Sequence, residues 1–214
     1  MLILIRVVMA VVLLLGISLY SRMKNTKIKV FIPFLAYVLV VEVLGILKFM
    51  RINGSNHWWY NIHAPFQILF YLFFYYYTIQ SAIIKKWVLW ASVVFLLFAI
   101  LNFLFLEGWN SFNTSTLRIG FLLIVCFCFL YFHELLNSKA LLNPLKQPTF
   151  WLSTGIMVFH IGFFVYLSVF HLLTVENVKA YGGLLTFIPK SLSILLYLFF
   201  AIAFYFEWKK ETSS

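Results

Sequence analysis

The sequence predicts an all-α polytopic membrane protein, with seven transmembrane helices, an outside N-terminus and a cytoplasmic C-terminus. Three observations carry that class. Of 214 residues, 64% are hydrophobic and only 10% charged, whereas a water-exposed domain carries about a quarter charged residues. Apolar runs of about 20 residues, the length that crosses a hydrocarbon core of about 30 Å, recur along the whole chain. Most of the segments between them hold turn-forming or polar residues, as in "SRMKNTK", "RINGSNH" and "NSKALLNPLKQP".

In chain order the expected helices cover about 2–20, 29–49, 63–83, 86–106, 115–136, 149–173 and 184–207, together one domain over 1–214. The first run is too long for a signal peptide, has no basic segment before it and no small-residue cleavage site after it, so it reads as a retained helix. The third opens with "NHWWYNIHAPFQ". Pro65 suits a first helical turn, and Ala64 before it is biased away from helix, so the regular helix is expected to begin near Ala64. On that reading Asn61, Trp58 and Trp59 are an interfacial belt. Cys126 and Cys128, two apart on the fifth helix, point to different faces and neither pair nor share a metal.

Basic residues set the orientation. Arg22, Lys24, Lys27, Lys29, Lys85, Lys86, Lys139, Lys146, Lys209 and Lys210 fall on one side, ten against six on the other, where Lys48 and Lys179 are counted. The first side is therefore expected to be cytoplasmic, in a plasma (inner) membrane. Basic inner loops beside anionic headgroups account for the net charge of +10 without nucleic acid.

Ionisable and polar groups inside the spans are costly and point to function, with interhelical hydrogen bonding as the structural alternative. Glu42, in "VLVVEVLGIL", is the strongest candidate, six residues before Lys48 and so roughly 9 Å below the outer end of its helix. Tyr60, His63, Gln67, Tyr71, Phe74 and Thr78 step by three and four residues and share one face of a continuous helix. Ser153, Met157, His160, Phe164, Ser168 and His171 form a second stripe, expected to face the bundle. Asn102 and Arg118 add polarity on the outer side. Lys190 lies level with Glu42, its natural counter-ion, if the last helix starts after Gly182-Gly183. It snorkels at the interface if that helix starts at Pro189. His133, Glu134 and Glu207 are expected at the cytoplasmic interface. The inner halves of the spans are mostly apolar, so the depth of the polar groups points to an outward-open pocket with Glu42, His63, Gln67, Asn102, His160 and Lys190 as its ligand-binding residues.

Much chemistry is excluded. The chain has no Asp, no G-x-S-x-G elbow, no H-E-x-x-H and no phosphate-binding or dinucleotide fingerprint. His160 and His171 lie about 16 Å apart on one helix, too far to share a metal. No metal or cofactor is expected. Lys190 superficially resembles the retinal-binding lysine of microbial rhodopsins, but the third helix carries no acid and Thr186 stands where that family has its second one. Through "WWYNIHAPFQILFYLFFYY" and "PTFWLSTGIMVFH" the chain resembles small, Phe- and Tyr-rich seven-helix membrane proteins of Bacteroidetes type. That resemblance implies the seven-helix fold and no catalytic residue.

Three functions compete. In the first, a receptor-like or sensory module signals through a separate protein at the cytoplasmic face, with Lys24, Lys27, Lys85 and Lys86 as contacts. The second is a small transporter or channel using Glu42 for protons or cations, for which the dry inner half demands a homo-oligomer. The third is a lipid-modifying enzyme with Glu42 and His63 as acid and base. The sequence favours the first, and a protein that is not an enzyme.

Overall fold

In lipid each backbone amide must find its partner within the segment, so apolar runs of this length can only be helices. The computed structural model describes residues 2–47, 50–52, 54–109, 111–138, 143–170 and 175–212, and within them not the side chains of 2, 170, 175–180, 211 and 212. Lys48, Lys139 and His171 lie outside the described residues, as do the side chains of Glu176 and Lys179.

Among the described residues the structure is helical: α1 (Leu2–Leu19), a four-residue α2 (Thr26–Lys29), α3 (Phe31–Leu44), α4 (His57–Thr78), α5 (Ala82–Leu101), α6 (Thr114–Asn137), α7 (Pro148–Phe170) and α8 (Val175–Thr212). Seven of these are of three turns or more. Five segments are long and apolar enough to cross a membrane: Ile3–Arg22, Ala82–Leu106, Thr114–Asn137, Pro148–Val169 and Tyr181–Lys210. The second of them includes a π-helical turn, Asn102–Leu106, that continues α5.

The other two long helices explain themselves. At 1.5 Å per residue, the 14 residues of α3 cover roughly 21 Å. Pro33 has no N–H to give to the Lys29 carbonyl, which separates α2 from α3. Backbone bonds nevertheless run through the join, Val30 N to Thr26 O at 3.2 Å and Phe34 N to Val30 O at 3.3 Å. Helix α4 has the length, with 22 residues, but its first two turns, "HWWYNIH", are polar.

Both proline-based start sites are corrected. Helix α4 begins at His57, not near Ala64, and passes through Pro65. Helix α8 begins at Val175, before Gly182-Gly183, and passes through Pro189. In each case the turns before the proline already hold helix, and losing one i→i−4 bond does not end it. The single stripe expected of a continuous α4 follows: His63, Tyr71, Phe74 and Thr78 are all buried along it.

The chain packs as two compact units, residues 1–39 with 135–214, and residues 40–134. In the first unit α7 and α8 run antiparallel. Gly155 lies against Phe199, and Gly162, two turns on, against Leu192, two turns back. A Cβ at Gly155 would sit 2.6 Å from the Phe199 Cβ, and one at Gly162 would sit 2.7 Å from a Leu192 methyl, so only glycine allows this approach. Trp151 stacks on Phe206 at 5.8 Å, and Phe31 meets Phe200 edge-on at 5.1 Å. In the second unit Gly120 of α6 receives Ile68 of α4. Helix α5 turns inward only a narrow stripe, Val88, Phe95 and Ala99, and leaves Trp87, Trp90, Val94, Leu97 and Leu101 exposed. A lipid solvent accepts such a face without penalty.

Candidate functional site

The polar cluster that opens α4 closes the α3–α4 corner. Helix α3 ends at Leu44, where the pattern passes from a four-residue bond, Gly45 N to Val41 O (2.9 Å), to three-residue bonds, Ile46 N to Val43 O (3.2 Å) and Leu47 N to Leu44 O (3.0 Å). Carbonyls at such an end need outside donors. The Trp59 indole donates to Val41 O at 3.1 Å, Asn56 Nδ2 to Gly45 O at 2.8 Å, and the Trp58 indole to Met50 O at 2.8 Å. Trp58 and Trp59, expected in an interfacial belt, are hydrogen-bonded to backbone carbonyls at this corner. Gly54, with φ at 81°, makes the tight turn between Ile52 and Ser55, which exchange backbone bonds of 2.8 and 3.1 Å.

These bonds fix the register of the end of α3 against residues 56–60, and Glu42 is half-buried in the last turn of α3. Glu42 is therefore about 3 Å along the axis from the end of its helix, shallower than the sequence implies. From His63 a hydrogen-bonded ladder descends α4. Gln67 bonds the His63 side chain and also the Tyr71 hydroxyl, one turn apart each time. An amide can accept from one neighbour and donate to the other at once. His63 is 8% exposed and Tyr71 1%, so both ends of the ladder lie inside, with Gln67 half-buried between them, and Tyr75, one turn on, meets Cys128 of α6. Cys126 faces outward.

Asn102 has a different place. It is buried where α5 passes into its π-helical turn, and its Nδ2 donates to Glu107 Oε2 at 2.7 Å and to Thr116 Oγ1 at 2.8 Å. Glu107 also accepts from Ser115 Oγ at 2.9 Å and from Ser115 N at 3.2 Å, capping the first turn of α6. Asn61 fastens the same corner: its Nδ2 donates to Ser111 O at 2.7 Å, and its Oδ1 accepts from Asn113 N at 3.0 Å. Asn102 thus works as a strut of the α5–α6 corner.

Two more carboxylates do similar work. Glu134 takes both turn amides between α4 and α5, Gln80 N and Ser81 N, at 2.7 Å each. In the first unit Glu207 accepts Asn25 N at 2.9 Å. Glu207 is 1% exposed, so it is a buried cap where the sequence expected a wetted interface group. His133 is exposed.

His160 and Lys190 belong to the first unit, and Glu42, His63, Gln67 and Asn102 to the second. Ser153 and His160 are fully buried, as the second stripe requires. His160 Nδ1 stands 2.6 Å from Ile156 O of its own helix, which places the proton on that nitrogen. Lys190, half-buried, is 19 residues before Lys209, roughly 28 Å along a straight helix. That is nearly a full hydrocarbon thickness, so a helix with Lys209 at one boundary carries Lys190 to the other.

Sequence reading missed Asn61, Glu107, Asn113 and Ser115 as a working group. The available signal was the density of Asn, Ser and Thr in "EGWNSFNTST", whose side chains cap backbone in turns. Among the described residues no group of three or more His, Cys, Asp or Glu side chains is placed to hold a metal. No protein-family profile matches this chain, nor does any curated protein or solved structure.

Proposed function

We propose that this chain is a receptor-like or sensory module of the plasma (inner) membrane, with its N-terminus outside and its C-terminus in the cytoplasm. Glu42, His63 and Gln67 form the ligand-contacting end of a polar path that enters from the outer side. The observation that carries this reading is the His63–Gln67–Tyr71 ladder, whose two ends are buried and whose middle rung, Gln67, is half-buried. Buried polar groups within a span are expensive, and His63 and Tyr71 are both buried and both paired through Gln67. A ligand donating to Glu42 or exchanging a bond with His63 would re-pair the rungs below it and shift α4. The loops are too short to hold an effector, so the shift would be read by a separate protein at the basic side, at Lys24, Lys27, Lys85 and Lys86.

The test is a structure in lipid nanodiscs, prepared without added ligand, of the wild type and Glu42→Gln. The reading expects non-protein density against Glu42 and His63 in the wild type, and its loss in a Glu42→Gln protein of unchanged fold. Close-packed side chains around both residues in the wild type, with no density between them, would sink it.

A further inference from the structure

The charged side chains of the first unit are unevenly placed. Among those described, Arg22, Lys24, Lys27, Lys146, Lys209 and Lys210 are exposed, and all lie at the end where α1 and α8 finish and α7 begins. Toward the other end Arg6 and Lys190 are half-buried. The one acid of this unit with a described side chain is Glu207, 1% exposed and bonded to Asn25 N at 2.9 Å. The surface described at this end therefore carries only positive charge.

Three contacts bring four of the cations together. The Trp151 indole donates to Leu145 O at 2.8 Å, and its ring stacks on Phe206 at 5.8 Å, which puts Lys146 beside that face of α8. The next residue of α8, Glu207, meets Asn25, which stands between Lys24 and Lys27. Lys210 follows Phe206 by four residues and Glu207 by three, so it lies one turn beyond both. It is thus flanked by Lys146 on one side and by Lys24 and Lys27 on the other. Met23 and Ile28, both buried, anchor that last segment, and the Asn25 side chain accepts from Lys27 N at 3.0 Å and holds its turn.

Aromatic residues give the level of this cluster. Tyr20 after the end of α1, Trp151 in the first turn of α7, and Tyr205 and Trp208 near the end of α8 occupy the same end of the unit, and Tyr and Trp concentrate where hydrocarbon meets water. Ile17 and Leu198, farther into the span, are exposed and offer apolar surface to acyl chains. Clustered lysines at that boundary attract anionic headgroups, and a headgroup is already at hand there, whereas a protein would have to displace it. Cations on both sides of Lys210 match two anionic centres better than one.

We propose that this end of the first unit binds an anionic lipid with two phosphates, of the cardiolipin type. One phosphate pairs with Lys146 and Lys210 and the other with Lys24 and Lys27, while the acyl chains run past Ile17 and Leu198. The site is independent of the Glu42–His63 path. Lys24 and Lys27 are where a bound lipid and a protein reading the same side would meet.

The test titrates the full-length chain in detergent micelles with cardiolipin or with phosphatidylglycerol, which has one phosphate, and counts bound lipid by native mass spectrometry. The wild type should bind its first cardiolipin about 25-fold more tightly than its first phosphatidylglycerol, since the second phosphate engages two further lysines at about fivefold each. Lys210→Gln should weaken cardiolipin about fivefold, and Lys146→Gln combined with Lys210→Gln about 25-fold. Lys85→Gln combined with Lys86→Gln, in the other unit, should leave the first cardiolipin unchanged. Equal affinity of the wild type for the two lipids at matched phosphate concentration overturns the proposal whether or not the variants fold, and is the result expected of a basic face kept for an acidic protein. Cardiolipin binding that survives in the Lys146→Gln, Lys210→Gln protein with its thermal midpoint unchanged, or that falls equally with Lys85→Gln and Lys86→Gln, overturns it as well.

Discussion

The two units balance two means of holding their helices together. In residues 40–134 side chains on backbone secure the corners, Trp58, Trp59 and Asn56 at one, Asn61 and Glu107 at the next, Glu134 at the third, and Gly120 receives Ile68 between α6 and α4. In the other unit α7 and α8 meet through glycine-cradled side chains, Gly155 with Phe199 and Gly162 with Leu192, and one carboxylate, Glu207, secures a turn. Lipid tails are as apolar as leucine, so helices in a membrane gain little by merely hiding apolar surface, and either close packing or hydrogen bonds must hold them. The difference teaches where function can reside. Two glycine contacts join α7 to α8, while in the second unit corner bonds add to the one contact of Gly120 with Ile68, and α4 carries its polar rungs on either side of that contact.

The largest expected effect breaks the packed unit. Gly155→Val puts a branched side chain where even a Cβ would lie 2.6 Å from the Phe199 Cβ, and overpacking of that kind costs about 3 kcal/mol. Hydrogen exchange should show faster opening of α7 and α8 with residues 40–134 little changed; a uniform effect on both units would break the contrast. Next comes Glu107→Ala, which removes the acceptor of Ser115 N and Ser115 Oγ and one of the two acceptors of Asn102 Nδ2. We expect a loss of about 2 kcal/mol, with exchange rising over 102–116 and not in α7. Glu134→Gln keeps one acceptor for the two turn amides and should cost about 1 kcal/mol. Limited trypsinolysis should then cut faster after Lys85 and Lys86, and an unchanged rate would show that the carboxylate does not hold the turn. Trp59→Phe removes only the bond to Val41 O. It should cost at most about 1 kcal/mol, read as a small shift in thermal midpoint.

Much of the helical architecture could be read from the sequence, because a run of 20 apolar residues has one stable conformation in lipid. The α4 stripe could also be read, since three- and four-residue steps are a property of the helix itself. Helix starts at prolines could not. Pro65 and Pro189 obey the rule for a first turn equally well whether or not helix precedes them, and only the packing of 57–64 and 175–188 decides. The corner bonds were hidden for another reason. Asn61 meets Ser111 and Asn113 across about 50 residues of chain, a pairing that no local pattern records. Glu207 looked like an interface acid because it ends an apolar run, while its bond to Asn25 spans 182 residues.

Under the proposed function the top of the α4 ladder opens to the outer side of the membrane. Single cysteines at positions 63, 67 and 71, in a background with Cys126 and Cys128 changed to Ser, test it most directly. Intact cells or oriented vesicles are exposed to a membrane-impermeant maleimide from each side. The account predicts labelling from the N-terminal side only, strongest at 63, weaker at 67 and absent at 71. Labelling from the opposite side, or none at 63 and 67 in folded protein, would contradict it.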